Sequence, residues 1–291
     1  MSQPVLTVVI PTRNRRDRLM ATLRALAGQR DLPGRFEVII VDDGSSDGTL
    51  DGAQGSVFEA FEQQILTLDH GGPARARNRG IEVARSDRVL LLGDDTAPTS
   101  LAVSGHLAAG GNGDRAVQGR IDWDPDETTT EVMRFLAPEG PQFWFKGLRD
   151  GGPVPWTQIL GSNISAPTEW FHLEPFDESF TDASMEDTEL AWRWRKRGWT
   201  AVWSERALCH HHHRYESIEP FLDRQRRAGH WARVAVRKHL GMLPTLWMQP
   251  VLMQRWKKTT AWFWRLKGRG RLRDQWDIAC RQSYLEGYRE G

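Results

Sequence analysis

Three acidic clusters carry the chemistry that this chain displays: VDDGSSDGT at 41–49, LLGDDT at 91–96 and MEDTEL at 185–190. The first two end apolar runs, and the third opens a helix-like stretch. Adjacent carboxylates such as Asp94 and Asp95 repel one another unless a cation or a hydrogen-bond network offsets the charge. Mg2+ and Mn2+ take such oxygen ligands, commonly one or two carboxylates together with substrate phosphates. Without an ion the same pair is a solvated turn. Asp42 and Asp43 close a strand and can accept hydrogen bonds from a base N–H or a ribose hydroxyl. They can equally cap the turn that follows. Glu186 and Asp187 suit helix capping or a general base that takes a proton from a hydroxyl; local sequence does not choose between them.

Two further groups could serve the same site. Arg75, Arg77, Asn78 and Arg79 lie in GGPARARNRG. Arginine pairs with phosphate oxygens, and some of these side chains will form only a solvated helix face. His210–His213 form a run of four. Imidazole is a common metal ligand, but at least two of the four are expected to be structural or solvated.

The elements that must position these residues alternate. Val5–Ile10, Phe36–Val41, Gln64–Leu68 and Val89–Leu92 read as buried strands. Asp17–Ala27, a weaker stretch over Gly48–Glu62 with Leu50, Val57 and Phe61 inward, Pro73–Ala84 and Ser100–Ala109 read as helices. This order predicts an α/β, Rossmann-like parallel sheet, whose ligands bind beyond the carboxyl ends of the strands. Pro11–Asn14, Asp42–Ser45 and Gly93–Asp95 all fall there. Further on, Ala116–Ile121 and Ile159–Ser165 read as strands, and 137–156 as an irregular aromatic loop. Thr188–Arg197 reads as a helix, and Thr200–Trp203 and Ala207–Cys209 as separate strands. From Tyr215 the chain is mostly helical, with interruptions at Pro244 and Pro250.

At 291 residues, 39% hydrophobic and 26% charged, the chain has the composition of a globular protein. Cys209 and Cys280 are its only cysteines, which excludes a disulfide framework or a CxxC metal site. The N-terminus reads as a first strand rather than a signal peptide. No run approaches the roughly 18 apolar residues of a membrane span. The net charge of +1 conceals an asymmetry: residues 224–273 hold fourteen Lys/Arg and no acid. Six of the fourteen Trp lie beyond residue 230: Trp231, Trp247, Trp256, Trp262, Trp264 and Trp276.

Taken together, VVIPTRNR, EVIIVDDGSSDGT, GGPARARNRGIEVARSDRVLLLGDD, LGSNIS and MEDTELAWRWRKRGW resemble, in order and spacing across residues 5–215, the family 2 inverting glycosyltransferases with the GT-A fold. The resemblance implies a catalytic domain over 1–215 and a basic, Trp-rich helical extension over 216–291. It implies a nucleotide-sugar donor held with Mg2+ or Mn2+. Pro11, Arg13, Asp42 and Asp43 would line the nucleotide pocket, with Asn78 and Asp94 also on the donor side. Gly161, Ser162 and Asn163 would border the donor sugar. Asp95, with His210 or His211, would bind the metal. Asp187 would be the catalytic base and Glu186 its neighbour at the acceptor. One departure is Gly93, where many members carry a third acid.

The acceptor implied is a glycan or a lipid-linked molecule. The basic tail with interleaved Trp suits an anionic membrane surface, which predicts a cytoplasmic protein attached at the inner face of the cell membrane. Nucleic acid is not expected, since no nucleic-acid-binding signature accompanies the charge. A helical cap whose Trp residues pack on the catalytic domain is the alternative. The rival function is a catalytically silent nucleotide-sugar-binding scaffold at a membrane, against which the intact acidic motifs speak. A nucleotidyltransferase would want a glycine-rich, lysine-bearing loop after the first strand, and PTRNRRDR has no glycine.

Overall fold

The computed structural model describes residues 3–55, 58–254 and 272–291. The chain divides into two compact units, one formed by residues 1–129 and 136–214, the other by 130–135 and 215–291.

The first unit is built on an eight-stranded mixed, mostly parallel sheet. In chain order its strands are β1 (Thr7–Thr12), β2 (Phe36–Asp42), β3 (Phe61–Thr67), β4 (Arg88–Leu92), β5 (Thr96–Pro98), β6 (Ala116–Trp123), β7 (Asn163–Pro167) and β8 (Ala201–His211). Their spatial order is β3-β2-β1-β4-β7-β6-β8-β5. β3, β2, β1 and β4 run parallel, β7 is antiparallel to both of its neighbours, and β5 is antiparallel to β8. The helices up to β8 are α1 (Arg16–Ala27), α2 (Thr49–Gln54), α3 (Pro73–Glu82), α4 (Ala102–Gly110), α5 (Glu131–Leu136), α6 (Thr168–Leu173) and α7 (Glu186–Lys196); all but the last residue of α5 belongs to the second unit.

The core explains why these segments take these forms. β1, β2 and β4 are buried on both faces, as parallel strands covered by helices must be. Leu19, Leu23 and Leu26 recur on one face of α1 and are fully buried against Val8, Ile10, Leu90 and Leu92. Each such burial is worth about 1.5–3 kcal/mol relative to an exposed side chain, so a polar residue at Leu23 would detach the helix. β1 continues through Pro11 to Thr12. Pro11 has only β2 beside it, because pairing with β4 ends at Val9–Leu91, and a missing N–H on the open side costs no ladder bond.

Several boundaries differ from expectation. The second helix stops at Gln54, and Phe61 begins β3, its ring 5.4 Å from that of Phe36 and 5.1 Å from that of Phe58. Val57 lies outside the described residues. The two predicted pieces at 200–209 are one strand, β8, whose register against β6 shifts between Gly119 and Ile121.

In the second unit, α8 (Glu219–Lys238) and α9 (Leu272–Glu290) cross closely. A Cβ on Gly229 would lie 1.8 Å from the Tyr284 carbonyl, and one on Gly287 would lie 1.8 Å from that of Arg226, so only glycine permits this approach. Part of the predicted basic surface is used internally. Arg226 pairs with Glu290, while Arg233 and Arg237 donate to the last carbonyls of the chain, where cations complement the helix dipole. Trp247 stacks on Tyr288 and Trp276 packs against Phe135. Trp256, Trp262 and Trp264 lie outside the described residues.

Candidate active site

The carboxyl ends of β1, β2 and β4 bring the first two acidic clusters to one edge. Thr12 is the hinge between them. Its backbone pairs with Asp42, and its hydroxyl donates to Asp94 Oδ2 at 2.9 Å. The β1–α1 loop is tied to the β2–α2 loop: Asn14, in the left-handed region at φ 52, accepts from the Ser46 N–H, and its own N–H donates to Ser45.

Asp94 and Asp95 have opposite electrostatic fates. Burial, then the charge of Asp95, raises the Asp94 pKa to about 7 against the pull of Arg15 and Thr12. Burial also opposes the charge on Asp95, but His211, Arg15 and Arg18 together outweigh it and hold its pKa below the ordinary value. His211 Nε2 stands 3.6 Å from Asp95 Oδ2, with its ring packed edge-on to Phe143. Two carboxylates and an imidazole form a donor set that suits Mg2+ or Mn2+. His210 is the neighbouring position on β8, so its side chain leaves by the opposite face. His212 instead faces Asp124 at 3.5 Å and Glu127 at 3.7 Å, and these three groups form a second potential cation cluster. His213 Nδ1 is 3.4 Å from Arg18.

Gly93 has a steric cause. A Cβ there would lie 2.7 Å from Thr96 Oγ1 and 3.2 Å from Asp95 Oδ1. A side chain at 93 would therefore require the Thr96 and Asp95 side chains to shift.

The third cluster joins this edge through one short loop. The Gly161 N–H donates to Asp187 Oδ2 at 2.8 Å, while the Ser162 carbonyl accepts from the Gly93 N–H at 3.1 Å. Asp187 Oδ1 also accepts the Thr188 N–H at 2.7 Å. Met185 precedes α7 at φ 69, a conformation that a non-glycine residue holds only where its surroundings impose it. Glu186 points inward, 3% exposed, and pairs with the buried Arg77 guanidinium at 2.7 Å. Burial, then the charge of Asp187, raises the Glu186 pKa against the pull of Arg77. Asp187 stays half-buried, with lone pairs to spare on both oxygens.

Other expected ligands also make framework contacts. Asp43 accepts from the Gly71 and Gly72 N–H groups at 2.8 and 2.9 Å and faces His70 Nδ1 at 2.8 Å, so it anchors the loop before α3. His70 Nε2 in turn lies 3.1 Å from Arg13. Asp42 accepts the Ser45 N–H through Oδ2 at 3.2 Å; its buried Oδ1 has no hydrogen-bond partner among the described residues. Asn78 is wholly occupied by residues 176–178: it accepts from the Phe176 N–H and donates to Phe176 O and Glu178, each at 2.9 Å. Asn163 is fully buried and binds His106 and the carbonyls of Arg120 and Ala207. The structure thus brings Thr12, Asp94, Asp95, His211, Gly161 and Asp187 into one connected edge and turns Asn78 and Asn163 away from it. Sequence reasoning missed Arg15 and Arg18. Their signal was their i,i+3 spacing at the start of the helix that follows β1.

This mixed, mostly parallel sheet flanked by helices is the GT-A fold of solved glycosyltransferases. The mannosyltransferase PcManGT from Pyrobaculum calidifontis, solved with GDP-Man and Mn2+, is similar to the chain with a TM-score of 0.69 at 16% identity, over 100% of this chain and 87% of that one. S. aureus TarS 1-349, solved with UDP-GlcNAc, gives a TM-score of 0.55 at 18% identity, over 98% and 89%. Residues 7–163 match the model of glycosyl transferase family 2, and the chain belongs to that family. It is 30% identical over 220 residues to the validoxylamine A glucosyltransferase of Streptomyces hygroscopicus subsp. limoneus, covering 67% of this chain and 49% of the relative. It is 38% identical over 96 residues to a PGL/p-HBAD biosynthesis glycosyltransferase of Mycobacterium bovis, covering 33% of this chain and 37% of the relative. The chain spans about half the length of the first of these relatives.

Proposed function

We propose that the chain transfers a sugar from a nucleotide-sugar donor to an acceptor hydroxyl in a single displacement that inverts the anomeric centre, with Mg2+ or Mn2+ at Asp95 and His211. The observation that carries this reading is the Gly161–Ser162 loop, hydrogen-bonded to Asp187 at one end and to Gly93 at the other. It ties the Asp187 carboxylate to the turn that carries Asp94 and Asp95, which supports a proton acceptor beside a cation site. Donors named with the similar solved structures, GDP-Man and UDP-GlcNAc, support the substrate class.

Asp187 takes the proton from the acceptor hydroxyl, on a carboxylate held in orientation by Gly161 and Thr188. The acceptor oxygen then attacks from the face opposite the nucleotide. Asp95 and His211 would hold a divalent ion, which would supply positive charge to the departing diphosphate. Arg77 and Glu186 act beneath Asp187 and fix the start of α7. Asp94, Asp42 and the loop anchored by Asp43 border the donor.

The acceptor proposed is a glycan or a lipid-linked molecule met at the inner face of the cell membrane. The sequence RWKKTTAWFWRLKGRGRLR supports it, as do the exposed Leu240, Met248, Leu252 and Leu272 of the C-terminal unit. Among the described residues no helix is long and apolar enough to cross a membrane.

The test pairs product stereochemistry with Asp187→Asn. The expected product has the anomeric configuration opposite to the donor. The variant should lose about 10²–10⁴-fold in turnover, the usual contribution of a general base, and keep nucleotide affinity. Full turnover in the variant, or a retained configuration, would overturn the mechanism.

A further inference from the structure

The cation-binding edge already holds a cation of its own. Three positively charged or chargeable groups converge on a single atom, Asp95 Oδ2: Arg15 Nη1 at 2.5 Å, His211 Nε2 at 3.6 Å and Arg18 Nη1 at 3.9 Å. Arg15 Nη1 also lies 3.6 Å from Asp94 Oδ1. The remaining oxygens are engaged elsewhere, Asp95 Oδ1 with Thr96 at 3.3 Å and Asp94 Oδ2 with Thr12 at 2.9 Å. Oδ2 is thus the oxygen that faces His211, and it is the one that Arg15 covers.

A small divalent ion sits about 2.0–2.1 Å from its ligand oxygens. A guanidinium nitrogen hydrogen-bonded to the same oxygen would lie against the ion, and like charges at that separation repel strongly. The two cannot share Oδ2. Arg15 is built to leave: its N–H is fixed to Thr49 Oγ1 at 3.0 Å, while its side chain is 39% exposed. The long side chain can therefore turn without moving the backbone. A planar guanidinium released beside a bound nucleotide has an obvious partner in the diphosphate oxygens, which it contacts with paired N–H donors.

We propose that Arg15 is an exchangeable counterion: it neutralises Asp95 in the ligand-free protein, yields Oδ2 to the divalent ion, and moves to the donor diphosphate. This rests on the reading of Asp95 as a metal ligand. Metal alone must break the Arg15–Asp95 pair, so it binds weakly. With the nucleotide present Arg15 gains a new partner, so metal and nucleotide each favour the other, by the same factor in either direction. Arg15 is thereby a positioning residue that makes the site accept metal and donor together.

Mn2+ binding to the full chain, followed by the loss of the free-ion paramagnetic resonance signal, tests this with and without UDP or GDP. Arg15→Gln should bind Mn2+ alone about tenfold more tightly, the scale of removing one competing ion pair of about 1.4 kcal/mol. The gain in Mn2+ affinity that the nucleotide gives wild type should shrink by at least as much. Arg15→Lys, which keeps the charge, should stay near wild type for Mn2+ alone. Equal or weaker Mn2+ binding by Arg15→Gln, or identical behaviour of the Gln and Lys variants, overturns the exchange while leaving Asp95 as the metal ligand. Wild-type Mn2+ affinity in Asp95→Asn overturns both the metal assignment and the exchange, so the two failures are distinguishable.

Discussion

Asp94–Asp95 and Glu186–Asp187 are both adjacent acid pairs. In each the first acid is buried with a raised pKa, and the second is presented at the edge. Their surroundings then diverge. Asp95 is ringed by the guanidinium groups of Arg15 and Arg18 and the imidazole of His211. Asp187 is held by two backbone N–H groups, from Gly161 and Thr188. On the proposal above, a carboxylate kept ionised by partly exposed arginines exchanges one of them for a metal. A carboxylate oriented by fixed amides keeps lone pairs aimed outward and can take a proton. Under the proposed function, the same two-residue motif would serve two tasks, set apart by what lies beneath and around it.

The sharpest way to break the comparison is to remove the support of the second pair. Arg77→Gln strands Glu186 in the interior, and losing one partner of a buried pair costs about 3–5 kcal/mol. Chemical denaturation should show that loss at pH 8. It should shrink at pH 5, where Glu186, its pKa already raised by burial, can take up a proton. A loss independent of pH would mean that Glu186 does not carry the strain.

A smaller effect separates the acid pairs from their scaffold. His106 is wholly buried between Ser165 and Asn163, and burial lowers its pKa from 6.5 to about 4. The unfolded chain therefore binds a proton below 6.5 that the folded chain refuses until about 4. Stability from this site is complete above 6.5 and falls as pH drops through that window, by about 1.4 kcal/mol per pH unit. Thermal unfolding at pH 7, 6 and 5 measures it. His106→Asn should flatten the slope, and an unchanged slope would assign the acid sensitivity elsewhere. Smaller again, Thr12→Val removes the hydroxyl bound to Asp94 and should cost about 1 kcal/mol. The cost should be greater above pH 7, where Asp94 is ionised and needs the donor.

Much of this architecture was legible in the chain. The runs that became β1, β2 and β4, and the acids at their ends, needed only periodicity and the rule that ligands sit beyond parallel strands. The failures have physical causes. β5 has three residues including Pro98 and exists because β8 pairs with it. The hydrogen bonds of Asn78 and Asn163 to partners 98 and 57 positions away could not be read from the sequence either. Contacts at such separations leave no local trace. Arg15 looked like one of several loop arginines until the fold laid it on Asp95.

The central claim is that Asp95 serves the metal and Asp187 the proton. Isothermal titration of UDP, GDP and dTDP, each with and without Mn2+, into wild type, Asp95→Asn and Asp187→Asn tests it directly. The account predicts Mn2+-dependent binding of one nucleotide, lost in Asp95→Asn and preserved in Asp187→Asn. Binding that ignores Mn2+ and survives in Asp95→Asn, or that disappears equally in both variants, would contradict it.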